Sequence, residues 1–264
     1  MFQRLGFLIS ASIFFTSLAH AETWRVATLE WPPYICSQCP QNGAAASALR
    51  KALETKDVKV EFVFSPWLQT LKRGADRNFV GYFPAWREEV KPTFTASDVF
   101  FSSPLIILER STHPLKWGTL KDLKGKIIGV TTGYGNTKEF NDLVKEKIIK
   151  TSETLNEESL FRKLAEGKMD GILIDMYVAQ YYLNEMFPQL RSKLRVNPKI
   201  VEVKTLHFAF NQANKDKVTV LHQSLKSFNF NKAVDTYLKE QKQAENLVPT
   251  VNPTKHLRLS KLDK

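Results

Sequence analysis

The 264-residue sequence has only two cysteines, no internal repeat and no low-complexity block. Both cysteines, Cys36 and Cys39, lie in one short segment with no further cysteine or histidine nearby, which argues against a structural zinc site. A c-type haem site needs a histidine directly after the second cysteine, where this chain has Pro40. A thioredoxin-type redox pair stays possible, and a local disulfide closing a tight loop is the favoured state in an oxidising compartment.

The sequence has only one long apolar run, at its N-terminus. Residues 5–18 follow Arg4 and precede Ala19-His20-Ala21. This pattern is typical of a secretory signal peptide, and the run is shorter than the roughly 20 residues that a membrane-spanning helix needs. We therefore expect residues 1–21 to be removed during export. No cysteine follows the run at a lipid-attachment position, which favours a soluble exported protein.

The chain also lacks an arginine-rich block and any recognisable nucleic-acid-binding motif. Its formal net charge is +11, from 38 Lys and Arg against 27 Asp and Glu. The lysines are spread among acidic residues along the whole sequence, which predicts a generally positive surface rather than a nucleic-acid site. We expect no nucleic-acid partner.

Apolar periodicity predicts alternating strands and helices. Strands are predicted at 23–29, 58–64, 103–108, 126–130, 171–174, 199–203 and 206–210. Helices are predicted at 43–53, 66–73, 138–148, 157–166 and 177–186, with two more in 215–241 that break near Asn229. Such alternation favours an α/β fold with a largely parallel sheet. The tail from Glu245 is expected to be draped or disordered.

Three segments carry polar residues suited to binding. Arg87 follows a run of aromatic residues in GYFPAWREE, and its planar guanidinium suits a carboxylate, although a solvated loop arginine would have the same sequence. The loop TTGYGNT at 131–137 turns from a strand into a helix, where backbone amides can meet an anion. It lacks the later glycine of a dinucleotide fingerprint and the lysine of a phosphate loop. Asp175 closes a strand and is expected to cap the next helix.

Six segments follow one another along the chain, in the order WPPY, PWLQTLKRGAD, FPAWRE, FSSPL, LKGKIIGVTTGYGN and LAEGKMDGILID. In this order and spacing the sequence resembles the bacterial extracellular solute-binding proteins of family 3. These are periplasmic receptors for polar amino acids and related small molecules, which deliver their ligands to ATP-driven importers.

The resemblance implies an α/β protein with the two-lobed periplasmic-binding-protein fold (type II). One lobe would comprise 22–107 and 204–264, and the other 108–203. The chain would cross between the lobes twice, near 108–111 and 202–206. The ligand would lie in the cleft and be buried when the lobes close.

The resemblance also implies roles for individual residues. Arg87 would hold the α-carboxylate of the ligand, and Asp175 would receive its α-ammonium group. Trp31 and Trp67 would face the ligand's side chain. Each pairing is chemically sensible, because a carboxylate suits a bidentate arginine and a ring or cation suits an indole face.

The glycine loop, with Gly133, Tyr134 and Gly135, would close on the carboxylate from the second lobe. Two further candidate ligand residues, Tyr82 and Phe83, stand where the family usually has small hydroxyl residues. These bulky side chains lead us to expect an aromatic or acidic ligand rather than a simple basic amino acid.

The expected partners are a small-molecule ligand and either the inner-membrane permease of an importer or a membrane sensor. We expect a periplasmic monomer without cofactor, metal or catalytic residues. An enzyme reading remains open because a few proteins on this scaffold are dehydratases. Glu30, beside Trp31, is the one carboxylate that we would test as an acid or base.

Overall fold

This computed structural model describes residues 22–247, with side chains as far as residue 240. The predicted signal peptide at 1–21 lies outside the described residues, as do residues 248–264 of the predicted tail. The first three residues of that tail, 245–247, end a helix.

The first lobe is built on a parallel three-stranded sheet. Strand β1 (Glu22–Thr28) pairs with β2 (Val58–Phe64) on one side and β3 (Gly81–Trp86) on the other. Helices α1 (Ala44–Glu54) and α2 (Trp67–Gly74) make the crossovers between these strands. The alanine-rich first turns of α1 are buried, since small side chains let the helix pack closely on the sheet.

The second lobe repeats this arrangement. Strand β6 (Ile127–Thr131) is parallel to β7 (Lys150–Thr154) and β8 (Gly171–Asp175). Helices α3 (Lys138–Lys145) and α4 (Glu157–Ala165) connect them. The helix α3 is shorter than the predicted 138–148. Strand β7 was not predicted, because all five residues of KTSET are polar and the segment has no apolar periodicity.

Two long antiparallel strands join the lobes into one mixed sheet. Strand β5 (Phe101–Arg110) lies beside β9 (Leu194–Asn211), and the short β4 (Phe94–Ala96) also pairs with β9. The strand order is β2-β1-β3-β9-β5-β8-β6-β7, with β4 beside this path. The prediction of a largely parallel sheet therefore needs correction, and the two strands predicted at 199–203 and 206–210 are one strand of 18 residues.

The pairing register shows where these strands change lobes. At the first-lobe end of β5, Phe101 pairs with Leu206 of β9. Further along, Leu105 pairs with Asp175 of β8, so β5 enters the second lobe between residues 101 and 105. The lobe boundaries derived from the sequence remain a prediction.

Helical segments complete the described chain. Helix α5 (Met176–Tyr181) continues into a π-helical turn (Tyr182–Met186), and α6 (Lys217–Lys226) is followed by α7 (Phe230–Leu247). The predicted break near Asn229 is confirmed, because α6 ends at Lys226 and α7 begins at Phe230. The Asn229 side chain accepts the backbone N–H of Lys232 at 2.9 Å. Short 3-10 turns occupy Pro40–Asn42, Arg87–Glu89, Leu120–Leu123, Pro188–Leu190 and Gln212–Asn214.

Cys36 and Cys39 form a disulfide, which confirms the favoured reading of the sequence. The bond closes a loop next to the 3-10 turn at Pro40–Asn42. Within residues 22–247, no helix is both long and apolar enough to cross a membrane.

Candidate functional site

Four aromatic side chains meet where the two lobes face each other, and we call them the aromatic cluster: Trp31, Trp67, Trp86 and Tyr134. The first three belong to the first lobe, and Tyr134 belongs to the glycine loop after β6. The ring centroids of Trp31 and Trp86 are 5.9 Å apart, those of Trp67 and Tyr134 are 6.1 Å apart, and those of Trp86 and Tyr134 are 6.3 Å apart. All three pairs are nearly perpendicular, a favourable geometry for aromatic side chains.

Two small cavities flank this cluster, each of about 10 Å³. Trp31, Trp86 and Tyr134 line both of them, so the cavities are two parts of one cleft. Glu89 lines the first, and Glu157 and Asp175 line the second. Since each has room for about one water molecule, the lobes are closed on their own side chains.

The glycine loop reaches across the cleft to the first lobe. The indole Nε1 of Trp67 donates to the carbonyl oxygen of Gly133 at 2.9 Å, and the amide of Gly135 donates to Glu89 Oε1 at 2.8 Å. Gly133 has φ +82°, and a Cβ added there would lie 2.7 Å from Leu68 Cδ2. Glycine is needed at this point, because the loop combines positive φ with close approach to the other lobe.

Glu89 is a cleft residue that the sequence analysis missed. Its Oε1 accepts the Gly135 amide, and its Oε2 accepts the amide of Trp86 at 2.8 Å. Burial raises the pKa of Glu89 to about 7, although these two N–H donors act in the opposite direction. In the sequence, Glu89 looked like an ordinary acidic residue beside Glu88.

Asp175 lies on the second-lobe side of the cleft and is 1% exposed. Its Oδ1 accepts the amides of Tyr177 at 2.8 Å and Val178 at 3.0 Å, which confirms the predicted helix cap. The hydroxyl of Tyr34 donates to the same oxygen across the lobes at 3.4 Å. Burial raises the pKa of Asp175 to about 6. Its Oδ2 has no hydrogen-bond partner of standard geometry, although the Ser103 hydroxyl is close enough to lower this pKa.

Glu157 is a buried carboxylate of the second cavity and was also missed. It is the first residue of α4, directly after the N-cap Asn156, and is 4% exposed. Burial raises the pKa of Glu157 to about 7, while the neighbouring Tyr134 hydroxyl lowers it. The sequence does not show that Glu157 rather than Glu158 lies in the cleft, because acidic residues are common in the first turn of any helix.

Three polar atoms at the second cavity are buried without a hydrogen-bond partner among the described residues. They are the indole Nε1 of Trp86, Oε1 of Glu157 and Oδ2 of Asp175. Buried polar groups are nearly always hydrogen-bonded in folded proteins, and an unsatisfied one is costly. Their position in one cavity marks a place where a bound molecule could supply the missing partners.

The structure brings together six of the nine candidate ligand residues named from the sequence. Trp31, Trp67, Gly133, Tyr134, Gly135 and Asp175 all lie at the interface between the lobes.

The other three residues lie outside the cleft lining. Arg87 is exposed and lines neither cavity. The Tyr82 hydroxyl donates to the backbone oxygen of Glu89 at 2.6 Å, and Phe83 is fully buried in the core, where it stacks on Phe208. The carboxylate-anchor role of Arg87 stays a prediction. Glu30 is also exposed, and its carboxylate accepts the amide of Ser37.

Lys204 is a cation close to the aromatic cluster. It is 1% exposed, and its Nζ lies 5.7 Å from the ring centroid of Trp86. The ammonium pairs with Glu88 at 2.8 Å and with Glu202 at 3.4 Å, so its charge is already compensated. No lysine, arginine or histidine is among the residues that line the two cavities.

The sequence matches no protein-family model and no curated protein. Solved structures do share the architecture. The GluR0 ligand-binding core from Nostoc punctiforme, in complex with L-glutamate, aligns with a TM-score of 0.65 at 18% identity, over 82% of this chain and 98% of that one. An ancestral arginine-binding protein bound to arginine aligns with a TM-score of 0.66 at 21% identity, over 83% of this chain and 99% of that one.

The chain has the two-lobed periplasmic-binding-protein fold. The predicted fold class is therefore confirmed. The periplasmic VFT2 domain of BvgS from Bordetella pertussis shares the fold with a TM-score of 0.65 at 14% identity, over 81% of this chain and 93% of that one. At these identities the likeness establishes the fold alone.

Proposed function

We propose that this protein is a periplasmic solute-binding protein that captures one small polar solute between its lobes. The observation that carries the proposal is the cleft itself, where loops from both lobes meet around buried carboxylates and unpaired polar atoms. Ligand sites are typically enclosed, mostly apolar and equipped with a few convergent polar groups. The cleft has each of these features.

The proposed mechanism is hinge closure. The strands β5 and β9 connect the lobes, and bending at these strands would open the aromatic cluster to solvent. A solute would bind to the exposed residues of one lobe first. Closure would then add the contacts of the glycine loop, which already reaches Trp67 and Glu89 across the cleft.

The proposed destination of the solute is the permease of an ATP-driven importer in the inner membrane. The glutamate- and arginine-bound relatives by fold support an amino acid or a related small molecule as cargo. A second destination, a membrane sensor, is supported by the BvgS VFT2 domain among the structures of the same fold. Capture of either membrane partner by the ligand-loaded protein in detergent would distinguish the two.

A thermal-shift panel of amino acids, amines and organic acids tests solute binding. A ligand that binds the folded state raises the melting temperature, by mass action. Mass spectrometry of the recovered ligand checks that it is unchanged, as binding without turnover requires. A chemically altered ligand would favour the enzyme reading, and a panel without any stabilising compound would contradict the proposal.

A further inference from the structure

The residues that line the cleft carry charge of only one sign. Glu89 faces one side of the aromatic cluster, and Glu157 and Asp175 face the other. The lining of the two cavities includes no basic side chain, and Lys204, which lies beside Trp86, is already paired with Glu88 and Glu202. A ligand that closes this cleft is thus surrounded by carboxylates and indole rings.

Two of these carboxylates have an oxygen without a hydrogen bond of standard geometry. Glu157 Oε1 and Asp175 Oδ2 are buried in the second cavity, and the nearby protein donors are the Tyr134 hydroxyl for the first carboxylate and the Ser103 hydroxyl for the second. Each oxygen can accept a further hydrogen bond, and a positively charged N–H group is the strongest donor that a ligand can supply. A ligand carboxylate would instead add another acceptor and further negative charge.

The aromatic cluster is a second, independent reason to expect a cationic ligand. The faces of tryptophan and tyrosine rings attract cations, and this attraction is larger where water is excluded. Trp31, Trp86 and Tyr134 lie between the carboxylates on the two sides of the cleft. Aromatic rings and carboxylate oxygens therefore line the same small volume.

We propose that the ligand is a small organic cation with N–H donors, an amine or amidine without a carboxylate, held by Glu157, Asp175 and the aromatic cluster. This inference rests on the proposed solute-binding function. It differs from the sequence-based expectation of an aromatic or acidic ligand, and it assigns no ligand contact to Arg87. The unpaired Nε1 of Trp86 leaves room for one acceptor atom on the ligand.

Matched pairs of ligands test the proposal by calorimetry. Tyramine with tyrosine, histamine with histidine and agmatine with arginine each differ only by the α-carboxylate. We expect at least one amine to bind at least about tenfold more tightly than its amino acid. Tighter binding of the amino acids would overturn the inference and leave solute binding intact. If no member of either series binds, the inference fails and the proposed function is contradicted for these ligand sizes.

A matched pair of variants tests whether Glu157 binds the cationic group of the ligand. Glu157→Gln removes one buried charge, whereas Glu158→Gln removes an exposed charge from the same helical turn. We expect Glu157→Gln to weaken amine binding by at least about tenfold and Glu158→Gln to leave it within about twofold. Equal affinities of Glu157→Gln and wild type, with both proteins folded by circular dichroism, would contradict the assignment.

Discussion

At the residue scale, Glu89 and Arg87 are two positions apart in sequence and differ in their surroundings. Glu89 lines the cleft, whereas Arg87 is exposed. We expect Glu89→Gln to reduce the affinity for a cationic ligand by about tenfold or more, and to a greater extent than Arg87→Ala. Calorimetry of both variants would show which substitution weakens ligand binding more. The reverse order would support the carboxylate-anchor role that the resemblance implied for Arg87.

A second residue-scale prediction concerns the cost of burying Glu157. Because burial raises its pKa to about 7, the ionised form destabilises the closed protein at higher pH. Without ligand, Glu157→Gln should therefore increase the free energy of unfolding at about pH 8 by about 1–3 kcal/mol, and much less near pH 5. Urea unfolding at both pH values would measure this. Glu158→Gln is the control, and a destabilised Glu157→Gln at high pH would contradict the account.

The sequence identified part of the cleft, including Asp175, and missed the other two of its three carboxylates. Tryptophans and glycines at element boundaries were informative because few structural roles require them there. Glu89 and Glu157 were missed because a glutamate in the first turn of a helix or in a loop is ordinary in sequence. Their surroundings depend on tertiary contacts: Glu89 accepts the Gly135 amide from the other lobe, and Glu157 is 4% exposed.

At the element scale, the contact between β3 and β9 depends on Gly81. A Cβ at this position would lie 1.9 Å from the carbonyl oxygen of Ala209, so the backbone of β9 would have to move. We expect Gly81→Ala to reduce the free energy of unfolding by about 3 kcal/mol. Gly125 is the control, since it has φ +78° but nothing within 4 Å of an added Cβ.

Chemical denaturation of the two variants would measure the difference. Gly125→Ala should cost only about 1 kcal/mol, from the backbone conformation. Equal losses of stability would show that the approach of β9 does not constrain Gly81.

Element boundaries were predicted well where the signal was local. Strand β2 was predicted with the observed bounds, because VKVEFVF alternates as a half-buried strand does. The continuity of β9 was not predicted, since its 18 residues cross from one lobe to the other and their burial pattern changes on the way. Antiparallel pairing of β5 with β9 depends on tertiary contacts that local periodicity does not encode.

At the scale of the whole molecule, the cleft should make stability depend on pH. The folded-state pKa values of Glu89, Glu157 and Asp175 are raised to about 7, about 7 and about 6. The folded state thus holds more protons than the unfolded state between about pH 5 and 8, and stability falls as pH rises through this window. The charged and titratable groups that face these carboxylates are Lys204, Glu88, Tyr134, Tyr182, Tyr34 and Tyr177.

Melting temperatures across this window would measure the effect in the absence of ligand. We expect the free energy of unfolding to fall by at least about 2 kcal/mol from pH 5.5 to 8. A variant with Glu89→Gln, Glu157→Gln and Asp175→Asn should lose most of this slope. A bound amine should also reduce it, because a cation favours the ionised carboxylates. If the free energy of unfolding of the triple variant fell with pH as steeply as that of the wild type, these three carboxylates would not be the cause of the pH dependence.

The central claim is that the solute binds among the carboxylates of the interlobe cleft. A crystal structure with the tightest-binding compound from the thermal-shift panel tests it most directly. The account predicts a ligand nitrogen within about 3 Å of Glu157 Oε1 or Asp175 Oδ2, beside the rings of Trp31, Trp86 and Tyr134. A ligand whose carboxylate is held by Arg87, or one bound outside the cleft, would contradict it.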